Sequence, residues 1–228
     1  MAFTHVQGNI GSAISGTTVA VTLAAAPTAG NLVACAIGGF QGLTLGTVKD
    51  SNNNSYTITA SSPEATRDAT AGSAWMAYLL SAPANATATI TATFSVGTIT
   101  VADIWAEEFS ITGGSAVFDK DAKNNGTGSS NPNTPSLTPT NANSLLYATA
   151  STSGTTSGVG APWTQAQGGI SAVSANDAEY DLSATGATAI NFTCTGAVDW
   201  DAMSMAFFIQ ESVVPGWESP TAGPSLRI

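Results

Sequence analysis

Ala86-Thr87-Ala88-Thr89-Ile90-Thr91-Ala92-Thr93-Phe94-Ser95 alternates apolar and hydroxyl-bearing side chains without a break. A period of two turns one row toward a core and the other toward water, so the stretch predicts a half-buried β-strand. About a hundred residues later Ile190, Phe192 and Cys194 alternate with Asn191, Thr193 and Thr195. The chain therefore predicts an all-β fold.

The surroundings of these two strands repeat in order. Gly30-Asn31-Leu32 opens an apolar run to Ile37, and Asn143-Ser144-Leu145-Leu146 opens another to Ala150. Tyr56-Thr57 is matched by Trp163-Thr164, and Tyr78 and Leu80-Ser81-Ala82 by Tyr180 and Leu182-Ser183-Ala184. Both halves close on an apolar strand, near Phe109 and near Phe207. Helical spacing of Ile104, Glu107, Glu108 and Ile111 competes with strand there, but the alternating counterpart Met203, Met205, Phe207 and Ile209 favours strand. The expectation is one jelly-roll-like antiparallel β-sandwich over residues 1–211, its two sheets sharing strands from both halves. The pseudo-repeats span about 1–111 and 144–211. Residues 112–143, rich in Gly, Asn, Ser, Thr and Pro, read as the crossover loop between them. Residues 212–228 carry three prolines and no strand pattern, and read as an extended C-terminal arm laid across a neighbour. Its candidate contact residues are Trp217, Pro220, Pro224, Leu226 and Ile228.

Composition narrows the function. Charged residues make up 9% of the 228-residue chain, against roughly 25% in an ordinary soluble domain. Fifteen carboxylates face five cations, Lys49, Arg67, Lys120, Lys123 and Arg227, for a net charge of −10. Such a surface repels phosphate backbones and anionic membranes, so neither nucleic acid nor membrane is an expected partner. Protein, glycan or a divalent cation remains. No apolar run is long enough to cross a bilayer. Met1-Ala2-Phe3-Thr4-His5 lacks the basic start of a secretory signal, which fits synthesis in a cytoplasm or a signal already removed. Cys35 and Cys194 both fall in expected strands and read as two buried thiols, with a disulfide between the halves as the alternative.

Few residues offer chemistry. His5 is the one histidine, and no nucleophile elbow accompanies it, so a strand-edge role is expected. Two cysteines and one histidine give no zinc-ligand spacing. Asp103 with Glu107, or Asp199 with Asp201, share a strand face, as paired glycosidase carboxylates would. They equally suit a solvated row. Glu107 and Glu108 point to opposite faces. Asp50, Asn52 and Asn54 form an oxygen-rich turn that could offer ligands to calcium, although Asp and Asn dominate ordinary turns by bonding their own backbone. No cofactor is otherwise expected. Trp75, Trp105, Trp163 and Trp200 could stack on sugars, but they recur beside strand ends as packing residues do.

The order Ala29-Gly30-Asn31-Leu32, Asp50-Ser51, Asn54-Ser55-Tyr56-Thr57, Trp75, Asn85 to Phe94, Glu108-Phe109-Ser110, Asp119, Ser144-Leu145-Leu146, Trp163-Thr164, Glu179-Tyr180 and Trp200 to Phe208 resembles concanavalin-like jelly-roll domains of bacteriophage structural proteins and bacterial surface proteins. The resemblance spans about residues 3–210 and transfers no catalytic residue. It implies a non-enzymatic virion protein that decorates a capsid or forms a head or tail appendage. Its expected partners are other virion proteins such as the major capsid protein, and further copies of itself. Two other readings stand beside this one. A secreted glycan-binding module or adhesin would expose its tryptophans, and a glycosidase would use one of the acid pairs.

Overall fold

A computed structural model describes residues 1–40, 42–62, 72–129, 132, 136–154, 156–171, 176–189 and 192–211. The first half runs β1 (Ala2–Ala13), β2 (Thr18–Thr22), β3 (Leu32–Phe40), β4 (Thr44–Asp50), β5 (Thr57–Ile58), β6 (Gly72–Leu79), β7 (Thr89–Val96) and β8 (Ala102–Thr112). The second runs β9 (Gly114–Ser129), β10 (Ser144–Thr152), β11 (Thr156–Val159), β12 (Thr164–Gln165), β13 (Asp177–Ala184), β14 (Phe192–Cys194) and β15 (Val198–Glu211). The described residues contain no helix. All ladders are antiparallel, and the sheets stack as sandwiches, as the alternating stretches predict.

The division of strands differs from the expectation. Among the described residues no sheet mixes the halves. The first half forms a five-stranded sheet, β1-β8-β3-β6-β5, and a three-stranded sheet, β2-β7-β4. The second forms β12-β13-β10-β15-β9 and the pair β11-β14. Read from β9, the second order repeats the first strand for strand. Among the described residues, the counterpart of β2 is a bridge between Leu137 and Thr188. Each half is thus a sandwich of its own, with the nested connectivity of a jelly roll.

The expected crossover is the second correction. Residues 114–129 form β9, a 16-residue edge strand paired with β15, and only Gly113, at φ +93°, separates it from β8. A positive φ favours glycine and lets the chain bend from one sheet into the other. The strand is hard to read in sequence because, as an edge, it is mostly half-buried and needs no apolar row. Its Lys120 and Lys123 suit an edge, where charge discourages stray pairing.

Three cores fill the stack. The first lies under the three-stranded sheet and contains Val33, Cys35, Ile37, Trp75, Ile90, Ala92 and Phe94. Phe94 is 3% exposed, so the alternating row faces inward as predicted, and its ring meets Trp75 edge-on at 5.4 Å. The central core joins the two five-stranded sheets through Leu32, Ala34, Trp105 and Phe109 from one half and Leu145, Tyr147, Met203 and Phe207 from the other. The third lies beneath β11-β14 around Leu146, Trp163, Phe192 and Trp200. Strands β3, β8, β10 and β15 are therefore covered on both faces over most of their length. This explains their continuous apolar runs and their many alanines, which let neighbouring layers approach.

The central core has an approximate two-fold relation. Leu32 pairs with Phe109 as Leu145 pairs with Phe207. Both edge strands carry a bulge one residue later, at Val6 and at Asp119. Across the seam His5 stacks on Tyr180 at 5.1 Å and Phe118 stacks on Tyr78 at 4.8 Å. Phe109 meets Tyr180 edge-on, and Phe207 meets Tyr78 in the same way, both at 5.4 Å.

Candidate functional site

The first of the two acid pairs, Asp103 and Glu107, lies with Glu108 on β8, the strand between β1 and β3. Asp103, Glu107 and Glu108 are each fully buried. They are neither a solvated row nor the wall of a cleft, because β8 is sandwiched between two cores. Glu108 points into the first half. Its Oε1 accepts from the Thr28 backbone N–H at 2.8 Å and Asn31 Nδ2 at 2.6 Å, and its Oε2 accepts from Gln7 Nε2.

Glu107 and Asp103 point the other way, into the seam between the halves. Glu107 accepts from the Gln167 backbone N–H at 2.8 Å and pairs with His5 Nε2. Gln167 returns a second contact, its Oε1 accepting from the Gly8 N–H at 2.8 Å. Asp103 accepts from Ser12 Oγ on β1 and, across the seam, from Ser171 Oγ and Asn176 Nδ2, both at 2.8 Å. Trp105 Nε1 donates to the Gly169 carbonyl at 3.0 Å. Residues 166–171 and Asn176 are thereby clipped onto the first half. Gly8 makes the clip possible, since a methyl there would lie 1.9 Å from the Glu107 carboxylate.

Burial pushes the Glu107 carboxyl above its usual range, and the His5 and Gln167 contacts only partly offset this. Asp177, on β13, is pushed up to about 6 by burial, against hydrogen bonds from Gln165 and its own neighbour's N–H. Among the described residues, eight of twelve carboxylates are buried: Asp50, Asp103, Glu107, Glu108, Asp177, Glu179, Asp181 and Asp201. Much of the −10 charge is therefore carried inside. The Asp199–Asp201 pair is divided, with Asp201 buried and Asp199 part-exposed.

Asp50 closes the turn after β4. Its Oδ1 accepts from the Asn52 and Asn54 N–H groups at 2.9 and 3.0 Å, and its Oδ2 from Asn54 Nδ2 and the Thr87 N–H at 2.7 and 3.0 Å. Burial raises this carboxyl, but the four donors outweigh it and hold it below the usual range. Asn52 Nδ2 donates to the Asn85 carbonyl. These oxygens serve as a turn acceptor, the ordinary role of Asp in this position. Among the described residues no cluster of three His, Cys, Asp or Glu side chains could hold a metal ion.

Trp75, Trp105, Trp163 and Trp200 are all core residues, between 0% and 7% exposed. Cys35 and Cys194 are free buried thiols in different cores. Burial, followed by the charge of Glu107, pushes the Cys35 thiol far up, which keeps it protonated and unreactive. His5 sits on the edge strand β1, as expected, but its partner Glu107 was not foreseen. Gln167, Ser171 and Asn176 gave no signal, because nothing in a polar loop marks a docking segment.

The remaining feature is at the end of β15. The β10 ladder stops at the Leu145–Phe207 pair, while β15 runs on to Glu211. Beside this stretch lies a pocket of about 390 Å³ lined by Met1, residues 141–143 and residues 208–211. Trp217, Pro220, Pro224, Leu226 and Ile228 lie outside the described residues.

No family model matches the chain, and no curated protein does. A solved structure reported as "Life in the extremes: atomic structure of Sulfolobus Turreted Icosahedral Virus" is similar over 92% of this chain and 91% of that chain, at 6% identity and a TM-score of 0.29.

Proposed function

We propose that this chain is a structural protein of a virus particle whose activity is protein–protein contact. The finer reading is a bacteriophage capsid decoration protein or a head or tail appendage, made in the host cytoplasm and assembled with the major capsid protein and further copies of itself. The observation that supports it most is where the acids go. The β8 carboxylates are internal acceptors: Asp103 and Glu107 bind one sandwich to the other, and Glu108 ties loops within its own, so polar chemistry serves the two-sandwich body. What faces outward is charge-poor, and charge depletion is a property of contact surfaces. On this reading the protein catalyses no reaction and needs no bound cation.

Mass spectrometry and electron microscopy of purified particles test it. The chain should be present in a fixed multiple per particle and account for ordered density on the head or tail. Particles that are complete without it would overturn the reading. In a parallel assay, oligosaccharides incubated with the protein should remain intact.

A further inference from the structure

Among the described residues no ladder joins the halves, so the seam between them is made of side chains and loops. Its apolar core joins Trp105 and Phe109 to Tyr147 and Phe207. Its polar clips run from Asp103 to Ser171 and Asn176, from Glu107 to Gln167 and from Asp121 to Ser61. One stretch of chain crosses from half to half. Thr112 ends β8, Gly114 opens β9, and Gly113 stands between them, exposed and at φ +93°.

We propose that the seam is exchangeable between two copies of the chain, with Gly113 as the hinge that decides between the two arrangements. With residue 113 at positive φ, β9 turns back and the first half docks on its own second half. With residue 113 extended, β8 runs on into β9, the halves of one chain part, and each docks on the complementary half of a second copy. Every seam contact recurs in the exchanged dimer, because both copies carry the same residues.

The two arrangements therefore differ at the hinge and in the concentration that each half meets. A one-residue link gives the closed form a high effective concentration. Glycine adopts positive φ without a steric penalty. Both terms favour the monomer of the parent sequence. A β-branched residue at 113 reverses the second term, since it resists positive φ and prefers extended strand. Space does not decide the matter. A Cβ there would meet Met1 Cγ at 3.1 Å, and Met1 is 58% exposed and able to turn aside. The exchange holds whether or not the protein serves in a virion.

A cysteine pair across the seam tells exchange from contact through outer surfaces. A Cβ at Gly38 would lie 3.1 Å from that of Asn176, close to the ~3.5–4.5 Å that a disulfide spans. Cys35 and Cys194 are buried and take no part. Gly38→Cys/Asn176→Cys in the parent background, oxidised at low protein concentration, should close within one chain and run as a monomer on a non-reducing gel. With Gly113→Val added, the protein should sediment at twice the parent mass, and the same pair should link two chains. Gly113→Asn adds bulk but tolerates positive φ, so it should behave like the parent. Gly113→Ala replaces Gly113→Val if thermal melting shows the latter to be unfolded. Gly72→Cys/Ser151→Cys, whose Cβ atoms would also lie 3.1 Å apart, replaces a pair that fails to close in the parent. Without any hinge variant, the cysteine-pair protein refolded from urea at high concentration and then oxidised should give linked dimers, and at low concentration single chains. The proposal is overturned by a Gly113→Val protein that sediments like the parent, or by a dimer whose cysteine pair closes within one chain. Equal dimerisation of Gly113→Asn and Gly113→Val, or refolding that yields single chains at every concentration, would overturn it as well.

Discussion

The two halves solve one packing problem with different chemistry. In the second half, Phe118 stacks on Tyr78 and meets Phe207 edge-on. In the first, His5 occupies the equivalent place, stacks on Tyr180 and meets Phe109 edge-on. Ring geometry is shared and charge is not. The adjoining cross-strand pair changes with it. Gly8 opposite Glu107 in the first half becomes Asp121 opposite Met205 in the second. In both, one carboxylate of the pair accepts a loop N–H from the other half: Gln167 donates to Glu107, and Ser61 donates to Asp121 at 2.9 Å. The acceptor has moved from the central strand to the edge strand. A clip across the seam is thus common to both halves, whereas a histidine–glutamate pair is not needed to form it.

The largest predicted effect comes from imposing one half's solution on the other. Glu107→Met leaves the His5 ring and the Gln167 N–H without an acceptor. At 1–3 kcal/mol for each stranded donor, the loss should be about 2–6 kcal/mol in urea melts. Adding His5→Phe removes one of those donors and restores the ring contact on Tyr180. The double variant should therefore recover part of the loss and keep a deficit of about 1–3 kcal/mol, owed to Gln167. A double variant no better than the single one would show that the halves are not interchangeable at this point.

Second in size is the turn after β4. The first half closes it with Asp50, whereas the corresponding bend of the second, Gly160 to Trp163, contains no carboxylate and closes through Trp163 N–H to the Gly160 carbonyl at 3.0 Å. Asp50→Ala should cost about 2–3 kcal/mol, since charge-assisted bonds are lost and backbone donors are stranded. Because the folded state holds this carboxyl below its ordinary value, its contribution is present above pH ~3.9 and fades as pH falls through the lower folded value. Parent and variant should therefore converge in acid.

How much of this was legible depended on whether a residue's role is local. Ile90, Ala92 and Phe94 showed their inward face because alternation is a local pattern. The repeated order of Leu32, Tyr56, Tyr78 and Phe109 with Leu145, Trp163, Tyr180 and Phe207 was legible for the same reason. The partition into two sandwiches was not, since either half's strands could have been distributed between two shared sheets without changing any local pattern. Strand β9 was missed because an edge strand with one paired side tolerates Gly, Asn and Thr. The sealing of Asp103 and Glu107 was invisible because it depends on Gln167, Ser171 and Asn176, sixty or more residues away. Turn chemistry around Asp50 was readable, as its donors are mostly two and four residues on.

The third prediction uses a site where the second half buries a carboxylate and the first an indole. Asp177 pairs with Ala150 in the position that Trp75 holds opposite Ile37. With a folded value of about 6, against ~3.9 unfolded, Asp177 makes the fold favour the protonated form. That contribution is complete below pH ~3.9 and is lost as pH rises through about 6. The parent should lose roughly 2–3 kcal/mol across that window from this group, opposite in sign to Asp50, and Asp177→Asn should flatten the slope. Denaturant melts at pH 4, 5, 6 and 7 separate the two. An unchanged slope in Asp177→Asn would place the titration elsewhere.

The smallest effect concerns the shared bulge. Val6 and Asp119 are the extra residues at equivalent places on β1 and β9. Val6 is 48% exposed and packs into no core, while Asp119 accepts from the Thr140 backbone N–H and hydroxyl at 2.7 and 2.6 Å. A bulge is held by the backbone and the twist around it, so its side chain is free to vary. Val6→Asp should then shift stability by no more than about 0.5 kcal/mol, the range of a surface substitution. Asp119→Val should cost more, because it strands two donors that only the second half has. Equal costs for the two exchanges would mean that the bulge itself, and not the contact made from it, sets the energy at both sites.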